Sequence, residues 1–187
     1  MAKQPHVCPW WIGYLLASPL RRILQNPDKI LAPYVRPGMT VLEPGPGMGF
    51  FTIPIARMVG ANGCVHVLDV QEEMLSGLER RAKKAGVSSR IHARLVQPDS
   101  MDITDLIGKV DLVCAFALVH EMPSSDRFFS EASAALRPDG LLLLAEPAGH
   151  VSSAEFEAEL EVANRHGLRL LSRPTVRRSQ AAVLKKA

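Results

Sequence analysis

The chain has 187 residues, 47% of them hydrophobic and 22% charged, with a formal net charge of +3. That length suits one domain with a sizeable core, the balance is ordinary for a soluble globular protein, and no apolar run approaches the length needed to span a bilayer. Three cysteines (Cys8, Cys64 and Cys114) are too few and too scattered for a disulfide framework or a zinc-binding spacing, so no metal and a reduced, cytoplasmic setting are expected.

The first stretch is aromatic. Trp10, Trp11 and Tyr14 fall within five positions, and they include both tryptophans and one of the two tyrosines of the chain. Pro9 and Pro19 interrupt its apolar run, so it does not read as a signal peptide. Two readings stand: a lid that excludes water from a reaction site, or packing on a sheet edge. Residues 1–35 are accordingly read as an N-terminal helical and aromatic segment and residues 36–187 as the main domain, the two forming one structural domain overall. Asn26-Pro27-Asp28 predicts a helix start, with a capping side chain, then proline at the first helical position, then an acid. Arg36-Pro37-Gly38 turns the chain out of that helix.

Residues 41–52 read Val-Leu-Glu-Pro-Gly-Pro-Gly-Met-Gly-Phe-Phe-Thr. A short apolar strand ends in an acid, three glycines follow at every second position, and an amphipathic helix begins. Glycine lacks a Cβ, so the backbone there can approach a ligand closely. A dinucleotide fingerprint counted from Gly45 needs glycine at position 50, which is Phe50. The pattern is instead Glu43-x-Gly45-x-Gly47-x-Gly49, which resembles motif I of the class I S-adenosylmethionine-dependent methyltransferases. The resemblance implies a turn that wraps the methionine part of a cofactor without phosphate. Glu43 suits an ammonium and sulfonium ligand better than a pyrophosphate, which a carboxylate would repel.

The second strand, Cys64 to Asp69, also ends in an acid, twenty residues beyond Gly49. Asp69 can accept hydrogen bonds from both ribose hydroxyls. The helix that follows, Gln71 to Ala85 and closed by Gly86, is preceded by Val70 and carries Met74, either an adenine contact or ordinary helix core. Val70 is grouped with the cofactor residues from its place just past that acid. The third strand, Ile91 to Val96, leads to Pro98-Asp99-Ser100. The resemblance places Asp99 near the adenine amino group, with Ser100 beside it; a simple Pro-Asp turn is the other reading.

The fourth strand, Val110 to Phe116, brings Phe116 to the cofactor end and is followed by Leu118-Val119-His120-Glu121. His120 is a candidate base for removing a proton from an acceptor, with Glu121 to orient it or bind a cationic substrate. The alternative is that His120 only shapes the loop. A helix from Ser124 to Leu136, a turn at Arg137-Pro138-Asp139-Gly140 and a fifth strand from Leu141 to Glu146 follow. Ser152 and Glu155 have capping-box spacing ahead of a helix that stops at Gly167. Two short strands, Leu168–Ser172 and Gln180–Leu184, finish the chain as an antiparallel pair. Alternating strands and helices argue for a parallel sheet with helices on both faces.

The resemblance covers about residues 36–146, through four motifs in order. It implies an α/β, Rossmann-like doubly wound seven-stranded sheet, mostly parallel with an antiparallel C-terminal strand. It further implies methyl transfer from S-adenosylmethionine, here to a small-molecule acceptor, since no insertion is long enough for a separate substrate domain. The chain lacks the Asn/Asp-Pro-Pro-Tyr motif of amino-methylating enzymes; Phe116-Ala-Leu-Val stands there. Alternatives are a non-catalytic protein that binds S-adenosylmethionine, a nicotinamide-dependent oxidoreductase, and a nucleic-acid methyltransferase using a basic C-terminal region. Seven lysines and arginines and no acid follow Glu161, leaving fifteen basic against all nineteen acidic residues in positions 1–161. These basic residues are not interleaved with aromatics, which favours a solvated edge over nucleic-acid binding. Cys8 is a candidate reactive thiol, even a ligand for a thiophilic acceptor such as arsenic.

Overall fold

In the computed structural model, which describes residues 25–187, the first regular element is the helix α1 at Pro27–Leu31. Asn26 caps it as its sequence predicts, accepting from the Lys29 N–H at 3.2 Å. The Arg36 guanidinium then donates to the carbonyls of Ala32, Pro33 and Val35, closing the turn into the first strand. Trp10, Trp11, Tyr14 and Cys8 lie outside the described residues.

Residues 25–96 belong to one compact unit and residues 97–187 to another. In the first, β1 (Thr40–Pro44), β2 (Cys64–Asp69) and β3 (Ile91–Leu95) run parallel, with Thr40 opposite Cys64 and Val65 opposite Ile91. Parallel neighbours need crossover connections. These are α2 (Thr52–Met58) and α3 (Glu72–Lys84). Val41, Leu42, Val65, Val67 and Leu68 are buried, as are Leu78 and Ala82 of α3. Pro54 sits in the first turn of α2, where its missing N–H would have had no intrahelical partner.

In the second unit, β4 (Val110–Phe116) and β5 (Leu136–Pro147) are parallel, and β7 (Ser179–Lys186) is antiparallel to both β5 and β6 (Leu168–Ser172). Helices α4 (Ser125–Ala135) and α5 (Ser153–Arg165) start at side-chain caps. Ser124 accepts from the Arg127 N–H, and Ser152 with Glu155 forms the expected capping box. The core is aliphatic and aromatic: Leu142, Leu143, Leu144, Phe128, Phe129 and Phe156 are sealed from solvent. The strand order β3-β2-β1-β4-β5-β7-β6 is the seven-stranded, mostly parallel α/β arrangement implied by the resemblance.

Two local expectations need correction. The fifth strand begins at Leu136, not Leu141, because the Arg137–Gly140 turn is taken up as an irregularity in the β4–β5 ladder, with Leu136 opposite Val110 and Leu141 opposite Leu112. Asp139 supplies the left-handed residue there, at φ 63°. Cys114 is buried as expected, but Cys64 is only partly so, lying 3.7 Å from the Thr40 hydroxyl and 3.6 Å from the His66 ring.

Candidate functional site

The glycine turn is built as the pattern demands. Gly45, Gly47 and Gly49 all have positive φ, at 67°, 52° and 81°. At Gly49 a side chain is excluded twice over, by that backbone conformation and by Leu78 Cδ1, which a Cβ would meet at 2.6 Å. Gly47 is different: a Cβ there would touch nothing within 4 Å, so its surroundings are open. Helix α3 holds the turn in place. Gly77 lets the Met48 side chain lie against the helix, and the Arg81 guanidinium donates to the Met48 carbonyl. The Gly45 N–H donates to the Leu68 carbonyl, which ties the turn to β2.

Glu43 ends β1 directly before this turn. It is 3% exposed, and its Oε2 and the Thr52 hydroxyl are buried without a hydrogen-bond partner. Burial raises its pKa to about 8, and the nearby Thr52 hydroxyl offsets this only in part. A buried carboxyl with an unpartnered oxygen is costly and calls for an explanation. Beside an open turn of left-handed glycines, an ammonium-bearing ligand such as S-adenosylmethionine answers it. Asp69 ends β2 nearly buried, its Oδ1 accepting the Gln71 N–H at 3.0 Å and its carbonyl accepting the Val96 N–H at 3.0 Å. Glu43, the three glycines and Asp69 would therefore hold the cofactor. Met74 is buried on the face of α3 that carries Gly77 and Leu78, and Val70 is exposed just past Asp69.

The second unit holds the other candidates. Asp99 is largely exposed and 3.9 Å from Arg127, while the Ser100 hydroxyl donates to Glu131 of α4 at 3.3 Å. Glu131 also accepts the Met101 N–H, so α4 anchors this loop. Phe116 ends β4, half-buried. The chain then turns at Ala117, whose φ of 53° is left-handed and costs a residue with a Cβ about 1–2 kcal/mol. A single 3-10 turn, Val119–Glu121, follows.

That turn converges on a residue that the sequence reading passed over. Glu146, at the end of β5, is fully buried. Its Oε1 accepts the N–H groups of Leu118 and Val119, both at 3.0 Å, and its Oε2 accepts the His120 N–H at 3.4 Å and contacts His120 Nδ1. The other ring nitrogen, Nε2, lies 3.8 Å from Glu121 Oε1. The His150 ring meets the His120 ring edge-on at 5.6 Å. The hydrogen bond to Glu146 raises the His120 pKa; burial opposes it, and the charges of Glu146, Glu121 and Glu159 add to it. Glu159 of α5 is itself raised to about 7, by burial and then by the charge of Glu146, and its Oε2 is buried without a partner. A signal for Glu146 was present: it is the acid that ends the apolar strand Leu141–Ala145, as Glu43 ends β1 and Asp69 ends β2.

The methyltransferase-domain family matches residues 36–175. An arsenite methyltransferase of Halobacterium salinarum is 28% identical over 137 residues, covering 73% of this chain and 33% of its own length. A ribosomal protein L11 methyltransferase of Pelotomaculum thermopropionicum is 32% identical over 141 residues, covering 73% and 43%. The chain thus spans less than half the length of these curated relatives. The crystal structure of a SAM-dependent methyltransferase from Aquifex aeolicus superimposes with a TM-score of 0.85 at 24% identity, covering 97% of this chain and all of that one. The chain belongs to the methyltransferase-domain family, among the class I S-adenosylmethionine-dependent methyltransferases.

Proposed function

We propose that this chain transfers a methyl group from S-adenosylmethionine to a small-molecule acceptor that carries a removable proton, with His120 as the base. The observation that carries the cofactor half is the buried Glu43, its Oε2 unpartnered, beside three left-handed glycines. When bound, S-adenosylmethionine supplies a methyl group activated on a sulfonium. Glu43 balances positive charge, the glycine turn lets backbone approach, and Asp69 accepts from the ribose hydroxyls. His120 Nε2 takes the proton that leaves the acceptor as the new bond to carbon forms. Glu121, 3.8 Å from Nε2, stabilises the resulting imidazolium or attracts a cationic acceptor.

The relatives differ in what their names say they methylate, arsenite in one and a ribosomal protein in the other. A small acceptor is favoured over nucleic acid because four of the seven basic C-terminal residues are already engaged. Arg165 faces Asp126 at 3.8 Å, Arg173 pairs with Glu157 at 2.8 Å, Lys185 pairs with Asp139 at 2.7 Å, and Lys186 donates to the Leu136 carbonyl. Phosphate binding would have to displace these partners.

The test is a methyl-transfer assay with labelled S-adenosylmethionine against a panel of phenols, quinols, thiols, arsenite and RNA. Turnover of a proton-bearing small acceptor is expected, with His120→Gln lowering the rate by roughly a hundredfold or more while cofactor affinity is kept. Methylation confined to RNA, or a rate unmoved by His120→Gln, would overturn the reading.

A further inference from the structure

We propose that Glu146 is a positioning residue for His120: from the end of β5 it holds the imidazole with its proton on Nδ1 and leaves the Nε2 lone pair to accept a proton. The inference rests on the reading of His120 as the base and extends it to a residue that touches no substrate.

Donors crowd around the carboxylate. Both oxygens accept backbone N–H groups, two on Oε1 and one on Oε2. Those three donors belong to consecutive residues, Leu118, Val119 and His120, and the left-handed Ala117 that precedes them turns the chain into this clasp. A carboxylate so surrounded is an acceptor on every side. The ring atom that faces it, His120 Nδ1, must therefore be the donor. In a neutral imidazole with Nδ1 protonated, Nε2 is the acceptor, so the tautomer is set by a residue 26 positions away in sequence. The arrangement has the logic of the carboxylate–histidine pairs of hydrolases, where the buried acid fixes the tautomer and steadies the imidazolium without itself becoming protonated.

A purely structural clasp would account for the three backbone bonds. It does not account for the fourth. Satisfying the N–H groups of residues 118–120 requires no imidazole, yet Glu146 Oε2 is shared between the His120 N–H and the His120 ring. The same side chain thus fixes both the backbone that carries the histidine and the rotation of its ring. Among the described residues, the remaining charged and titratable neighbours of the ring are Glu121 on its own turn, Glu159 on α5 and His150 after β5.

The expected consequences are spectroscopic as well as kinetic. With histidine nitrogens labelled with 15N in the full chain, His120 should show the Nδ1–H tautomer above its titration and should titrate above an ordinary histidine. In Glu146→Gln the amide oxygen can keep the Leu118 and Val119 donors, but its NH2 group turns a donor toward Nδ1. The tautomer should flip to Nε2–H, the titration should fall, and any measured turnover should drop by roughly a hundredfold or more at unchanged cofactor affinity. Glu146→Asp should restore part of the wild-type tautomer. Calorimetry with S-adenosylmethionine on the same samples separates the two claims: no cofactor binding to wild type overturns the methyl-transfer reading, whereas binding with an Nε2–H tautomer in wild type overturns the role of Glu146. An unchanged tautomer and titration in a folded Glu146→Gln protein overturns it equally. If Glu146→Gln does not fold, the wild-type tautomer alone decides.

Discussion

Two glutamates end two strands of this chain, and both are buried, yet they live opposite lives. Glu146, at the end of β5, is surrounded by donors: three backbone N–H groups and an imidazole. Glu43, at the end of β1, has an Oε2 without a hydrogen-bond partner and a pKa pushed up to about 8. Burial alone cannot explain the contrast, since both are shut from water. What differs is the chain that follows. After β4 the backbone curls so that successive N–H groups point at Glu146. After β1 it runs through glycines whose left-handed conformations keep it open and turn its groups elsewhere. One carboxyl is completed by its own protein; on the proposed reading the other is completed by a ligand. The first belongs to positioning, the second to binding, and the expected effects of altering them differ in sign.

The largest effect should come from truncating the completed site. Glu146→Ala takes the acceptor from three backbone N–H groups, that of Val119 fully buried, and from His120 Nδ1, and should cost about 3–5 kcal/mol in urea unfolding. A cost below 1 kcal/mol would mean that the clasp is dispensable.

Glu43→Gln should do the reverse. An ordinary carboxyl titrates near 4.5, so a buried one at about 8 takes up its proton on folding at neutral pH. Because the native state then binds more protons than the unfolded one, stability falls as pH rises from about 4.5 to 8. Removing the charge should stabilise the ligand-free protein by about 3 kcal/mol at pH 7 and flatten that slope, while weakening cofactor binding. Unfolding curves of both proteins across that pH range check the sign. His120 contributes in the other direction: its raised pKa gives stability that is complete below an ordinary histidine's pKa and is lost as pH rises through the folded value.

Asp69→Ala sharpens the binding side of the contrast. On the proposed reading it removes the acceptor for two hydroxyls, each such bond worth roughly 1.5–3 kcal/mol, so affinity for S-adenosylmethionine should fall at least tenfold by calorimetry. The smallest effect is expected at Ala117. Glycine there relieves the left-handed strain but loosens the unfolded chain, for a net change of at most about 1 kcal/mol in thermal or urea unfolding.

Much of this was legible before the fold was known, and the reasons differ by residue. Gly45, Gly47 and Gly49 spoke through their spacing, because only glycine adopts that conformation without penalty. The caps at Asn26 and Ser152 were local, set by residues within three positions, and the strand limits of β4 and β6 followed from apolar runs bounded by turns. Glu146 was harder. Its role depends on Leu118, Val119 and His120, some 26–28 positions earlier, and a long-range pairing leaves no spacing to read. The start of β5 was missed because an Arg-Pro-Asp-Gly sequence reads as a turn, while the ladder absorbs it as an irregularity. The raised pKa of Glu43 depends on its neighbours in space, not on its identity.

The central claim is that Glu43 is held neutral until a cationic cofactor completes its site. Calorimetric binding of S-adenosylmethionine at pH 7 in buffers of different ionisation enthalpy tests it most directly. A group with a pKa of about 8 is roughly nine-tenths protonated at that pH, so wild type should release close to one proton more on binding than Glu43→Gln does. Tight binding with the same proton release in both proteins, or no binding to wild type, would contradict the account.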